Sequence, residues 1–161
     1  MVRSSAFLLV FGLLLACGEP ATETPATEAP AARGVQAMVA DANEVVTTLT
    51  AAEAASLVDD PGVAFVDLRE QVEIQRSGYV PGAVHAPRGL LEFFVDSTSR
   101  MHMPVFSSGK RIVFYCAGGG RSALAAQTAM EMGLDDVAHV GGGFRAWVEA
   151  GGPVEQPVQA P

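Results

Sequence analysis

Cys116 is followed by Ala117, by three glycines from Gly118 to Gly120, and then by Arg121 and Ser122. Glycines adopt backbone angles closed to other residues, so such a loop can curl and turn several N–H groups inward around an anion. A helical pattern runs from Ser122 to Met132, and the positive end of that helix points at the same place. Both effects favour a thiolate over a thiol, and the thiolate is the nucleophile. The stretch therefore describes a reactive cysteine in a cradle for negative charge.

The elements that must hold this loop are legible around it. Arg111 to Tyr115 is an apolar strand that delivers Cys116 to its carboxyl end, where ligands bind in an open α/β sheet. Val63 to Asp67 is a second continuous apolar strand of the buried parallel kind. Val45 to Leu49, Val84-His85 and Val137 to Val140 supply three shorter ones, and the segments between them read as helices at 51–58, 69–78, 90–95 and 144–149. Thr50 and Glu53 form a capping box ahead of the first of these helices. Strands alternating with helices predict an α/β fold, with a mostly parallel five-stranded sheet and helices on both faces.

Two structural alternatives attach to the loop. A lone cysteine can be a small core hydrophobe. Gly118-x-Gly120-x-x-Ala123 also matches a dinucleotide-binding fingerprint, but that fingerprint opens a domain of several strand and helix units, and only about forty residues follow this one.

The chain has 161 residues and a formal net charge of −8, which is room for one domain and no electrostatic reason to approach nucleic acid. Its two cysteines, Cys17 and Cys116, are too few for a disulfide framework and form no CxxC pair. His85, His102 and His139 are scattered, so no metal site is expected, and His139 reads as packing within a strand.

Residues 1–17 read as a secretory signal: Arg3, then an apolar run from Ala6 to Ala16 that is too short to span a bilayer. Its end, Leu14-Leu15-Ala16-Cys17-Gly18, is similar to a bacterial lipobox, with Cys17 as the lipidated residue; an ordinary secretory signal or an uncleaved anchor is the alternative. Each reading places the remainder outside the cytoplasm. Gly18 in place of an aspartate favours the outer membrane in a Gram-negative source. Residues 18–43, rich in Pro, Ala, Thr and Glu, read as a disordered tether, 44–156 as the folded domain, and 157–161 as a disordered tail.

The loop from Cys116 to Arg121, with its strand and helix, resembles the active-site loop of the rhodaneses, single-domain sulfurtransferases. Asp67-Leu68-Arg69-Glu70, Gly78 to Val84, Gly141 to Trp147 and Ala150 to Pro153 fall in that family's order. The resemblance implies that Cys116 takes sulfur from a small anionic donor such as thiosulfate and passes it, as a persulfide, to a thiol or to cyanide, without cofactor or metal. It implies further that the amides of Ala117, Gly118, Gly119, Gly120, Arg121 and Ser122 bind substrate, with Asp67 and Arg69 as a supporting ion pair. Arg121 has two readings, a contact to the anionic donor or an ion pair with a carboxylate such as Asp67. Four residues separate Cys116 from Arg121, whereas phosphatases of this architecture carry five. The shorter cradle suits sulfur better than phosphate. The runner-up is a non-catalytic or regulatory binding module tethered to the membrane.

Overall fold

The computed structural model describes residues 32–157. Five strands form one parallel sheet in the order β1-β5-β4-β2-β3: β1 (Thr47–Leu49), β2 (Val63–Asp67), β3 (Val84–His85), β4 (Arg111–Tyr115) and β5 (Val137–Val140). The strand that delivers Cys116 is thus the middle one. Among the described residues six α-helices accompany them: α1 (Val35–Val45), α2 (Ala51–Ala55), α3 (Gln71–Ser77), α4 (Leu91–Val95), α5 (Gly120–Glu131) and α6 (Gly143–Glu149).

Alternation along the strands sends side chains to two separate cores, as a sheet covered on both faces requires. Val66, Ile112 and Phe114 pack with Leu91 and Val95 of α4 and with Ala125, Ala126 and Ala129 of α5. On the opposite face Phe65, Val113, Tyr115, Ala138 and Val140 meet Ala54 of α2 and Phe144 and Trp147 of α6. Burying each of the larger side chains contributes about 2 kcal/mol. The alanines of α5 let that helix lie close on β4, which fixes the loop between them.

The expected strands and helices are present, with small shifts at their ends. The α2 helix stops at Ala55, and Thr50 caps it through the expected box with Glu53. The main correction lies upstream. Residues 35–43 were expected to belong to the tether, yet they form most of α1, which packs along α5. Val35, Met38, Val39 and Ala42 recur at helical spacing, and Ala42 is fully buried. The folded segment therefore begins before residue 44. At the other end Glu155 and Tyr79 exchange two backbone hydrogen bonds of 2.9 Å, which closes the chain over the α3–β3 connection. The expected leader, Cys17, and residues 158–161 of the tail lie outside the described residues.

Candidate active site

Cys116 is the first residue beyond β4 and is 1% exposed, whereas Ala117 and Gly118 beside it are exposed. The chain then turns at Gly119, whose φ of +93° suits glycine, and enters α5. This turn brings the Gly119 N–H to 3.2 Å from the Cys116 Sγ, to which it donates. It is the one backbone N–H among the described residues within hydrogen-bond distance of the sulfur.

The carbonyl groups of the loop point the other way. The Phe144 N–H donates to the Cys116 carbonyl at 2.7 Å, and the Arg145 N–H to the Ala117 carbonyl at 3.1 Å. The first turn of a helix has amides without partners inside the helix, and here α6 uses two of them to hold the loop by its oxygens. The approach is close. A Cβ on Gly143, whose φ is +62°, would collide with the Cys116 carbonyl and lie 2.8 Å from the Gly119 nitrogen.

A second set of contacts supports the loop from below. Ser122 is fully buried, and its hydroxyl donates to the Gly119 carbonyl at 2.9 Å. The same hydroxyl lies 3.4 Å from His139 Nδ1, while His139 Nε2 is 2.9 Å from the Thr48 hydroxyl. Burial lowers the His139 pKa, so the ring is neutral. Since Ser122 gives its proton to the shorter contact, Nδ1 carries the imidazole proton and Nε2 accepts from Thr48.

Arg121 extends from the first turn of α5 to Glu73 on α3, donating to its two carboxylate oxygens at 2.8 and 2.7 Å. The Arg121 guanidinium holds the Glu73 carboxyl down to about 2. Glu73 in turn raises the Arg121 pKa, and Cys116 lies close enough to add to that effect. Asp67, the expected carboxylate partner, is not the one used. Arg69 occupies it with Nε to Oδ1 at 2.9 Å and a terminal nitrogen to Oδ2 at 2.6 Å.

That second pair is buried, with both side chains 2% exposed. Arg69 also donates to the Ser77 hydroxyl and the Gly78 carbonyl, at 2.9 and 2.8 Å, and its guanidinium lies 4.0 Å from the centre of the Phe144 ring. Burial opposes its charge, but Asp67 outweighs burial and the pKa is raised. Asp67 and Arg69 thus join β2 to the end of α3 and to α6. Asp67 is level with Tyr115 across the β2–β4 pairing, one residue from Cys116.

Between α3 and α6 a cleft of about 560 Å³ opens beside Ala117, lined by Arg69, Glu73 and Arg76 on one side and by Phe144, Arg145 and Val148 on the other.

The sequence model of the rhodanese-like domain matches residues 50–150. The chain belongs to the rhodanese-like domain family. Among curated relatives of this rhodanese-like chain, the mouse thiosulfate sulfurtransferase/rhodanese-like domain-containing protein 3 is 30% identical over 105 residues, covering 62% of this chain and 67% of that protein. A tRNA uridine(34) hydroxylase of Erwinia tasmaniensis is 33% identical over 108 residues, covering 65% of this chain but only 29% of that enzyme. Among solved structures, a Rhodopseudomonas palustris protein of unknown function, described as a possible tyrosine phosphatase, is 48% identical with a TM-score of 0.75, over 81% of this chain and 100% of that one.

The rhodanese-like fold brings Cys116, Gly119, Arg121 and Ser122 around one loop and sets Asp67 and Arg69 at the end of the adjacent strand. It also recruits residues that the sequence reading did not single out for the site: Glu73, the Phe144 and Arg145 amides, and Thr48. The glycines from Gly141 to Gly143 after β5 were the available signal for the α6 contact, because a second glycine run at a strand end marks close backbone approach.

Proposed function

We propose that this domain is a sulfurtransferase with Cys116 as the sulfur carrier. The observation that carries the reading is the Gly119 N–H donated to Sγ, in a loop whose carbonyls at Cys116 and Ala117 are drawn away by α6. The Cys116 thiolate attacks the sulfane sulfur of a donor such as thiosulfate; a sulfur–sulfur bond forms, and sulfite leaves with the electron pair of the broken bond. Cyanide or a thiolate then attacks the terminal sulfur of the persulfide, and Cys116 recovers its electron pair as thiolate. The loop amides from Ala117 to Ser122 stabilise the persulfide anion as an oxyanion hole stabilises developing charge.

Intact mass of the full chain after thiosulfate tests this directly. A gain of about 32 Da, one sulfur atom, that is lost in Cys116→Ser and discharged by cyanide as thiocyanate supports it. No adduct and no thiocyanate overturns it, and binding of a partner by Cys116→Ser would then favour the tethered binding module.

Phosphoryl transfer is the second reading, raised by the description of the Rhodopseudomonas palustris relative. Two observations weigh against it: four residues lie between Cys116 and Arg121, and both terminal nitrogens of Arg121 are taken by Glu73. Turnover of p-nitrophenyl phosphate without persulfide formation would favour it. The tRNA substrate named for the hydroxylases is disfavoured by a net charge of −8.

The same proposal assigns Cys17 as a lipid attachment point that holds the domain in the cell envelope on the periplasmic face, at the outer membrane in a Gram-negative source. The lipobox-like run Leu14-Leu15-Ala16-Cys17 supports it. Metabolic labelling with a palmitate analogue that persists in Cys17→Ala overturns it.

A further inference from the structure

Resting on the sulfur-transfer reading, the α3–α6 cleft identifies what accepts the sulfur. Its volume of about 560 Å³ is that of a site for an organic ligand, and thiosulfate or cyanide leaves most of it empty. The cleft begins at Ala117, the exposed neighbour of the buried Cys116, so a molecule seated in it lies against the loop that carries the sulfur. Its lining is apolar at Phe144 and Val148, with charges around it.

Those charges divide into committed and uncommitted groups. Arg69 is held by Asp67, and Glu73 is held by Arg121. Arg76, Arg145 and Glu149 also line the cleft and are exposed, and among the described residues none of the three has an ion-pair partner. Two free cations and one free anion leave the cleft positive, in a chain whose net charge is −8. Guanidinium groups on opposite walls suit carboxylates, which they bind in paired hydrogen bonds. We propose that the cleft is the acceptor subsite, and that its occupant is a carboxylate-bearing organic thiol of net negative charge, oriented by Arg76 and Arg145. Glu149 leaves a place for one ammonium group on the same molecule. The acceptor thiolate attacks the terminal sulfur of the Cys116 persulfide, that sulfur–sulfur bond breaks, and the acceptor departs as a persulfide while the Cys116 thiolate is restored.

Three small thiols that differ in charge test this on the full chain: mercaptosuccinate, 2-mercaptoethanol and cysteamine. After loading with thiosulfate, discharge by mercaptosuccinate is expected to exceed that by 2-mercaptoethanol by about tenfold in kcat/KM, corrected for thiolate fraction, with cysteamine slowest. Arg76→Glu with Arg145→Glu reverses that order, Arg76→Gln with Arg145→Gln flattens it, and Arg100→Glu, an exposed change away from the cleft, preserves it. Binding is read separately by calorimetry on Cys116→Ser with mercaptosuccinate. Heat of binding that is lost in the charge-reversed background supports the subsite. Equal discharge by all three thiols, or no binding while loading remains intact, overturns the cleft assignment alone. Failure to gain about 32 Da overturns the sulfur-transfer reading and the acceptor role together.

Discussion

Glu73 binds Arg121 with both carboxylate oxygens, at 2.8 and 2.7 Å, across 48 residues of sequence. The contact ties the first turn of α5, which follows the Cys116 loop, to α3. The Glu73 carboxylate also accepts the Glu70 N–H at 2.9 Å, so one carboxylate orders both α3 and the start of α5.

Replacing Glu73 with Gln is expected to destabilise the fold by about 1 kcal/mol at pH 7, a modest amount because both side chains are about a third exposed. The Glu73 pKa is about 2 in the fold against an ordinary 4.5, so its contribution is complete above the ordinary value and disappears as the pH falls toward the folded one. The difference in Tm between the wild type and Glu73→Gln should therefore shrink between pH 5 and pH 2. A difference that stays constant would show that the charge is not its source.

The buried pair behaves differently. Asp67→Ala leaves Arg69 charged and 2% exposed without its counterion, at a cost of about 3 to 5 kcal/mol. Asp67→Leu combined with Arg69→Met removes both charges and is expected to recover a large part of that loss. Urea unfolding of the single and double variants measures the recovery, and a double variant no more stable than Asp67→Ala would refute it.

Gly143→Ala tests the contact between α6 and the loop. The added methyl group meets the Cys116 carbonyl and sits on a backbone with φ of +62°. A loss of about 2 kcal/mol is expected, together with at least about tenfold slower persulfide formation. Gly151→Ala, also at positive φ but with nothing within 4 Å, serves as the control that loses stability without losing rate.

His139 carries a pH dependence of the opposite chemical type. Burial lowers its pKa, so on acidification the unfolded chain takes up a proton near pH 6.5 that the folded chain refuses. Stability should fall as the pH drops from 7.5 to 5.5, and the slope should flatten in His139→Gln. An unchanged slope would assign it to another group.

Much of this architecture is legible in the residues themselves. The run from Arg111 to Tyr115, the glycines after Cys116 and the alanine-rich segment beyond them announce strand, loop and helix, because each type is selected by local geometry. Helix α1 was hidden because its valines follow a proline-rich stretch and are mixed with polar and small residues; only contact with α5 explains their spacing. The partner of Arg121 was hidden for a different reason. Asp67 and Glu73 were both available carboxylates, and the choice depends on Arg69 occupying Asp67 from two residues away. Truncating the chain at residue 44 rather than 33 removes α1, and it is expected to lower stability by about 2 kcal/mol. Equal Tm values for the two lengths would show that α1 adds nothing.

The strand order has a temporal consequence. β1 has a single neighbour in the sheet, β5, and the Thr48 to His139 contact spans 91 residues. The first strand of the described residues is therefore the last to find a partner, and the sheet cannot be completed until the chain has been made through Val140. Until then the amino-terminal strand stays open.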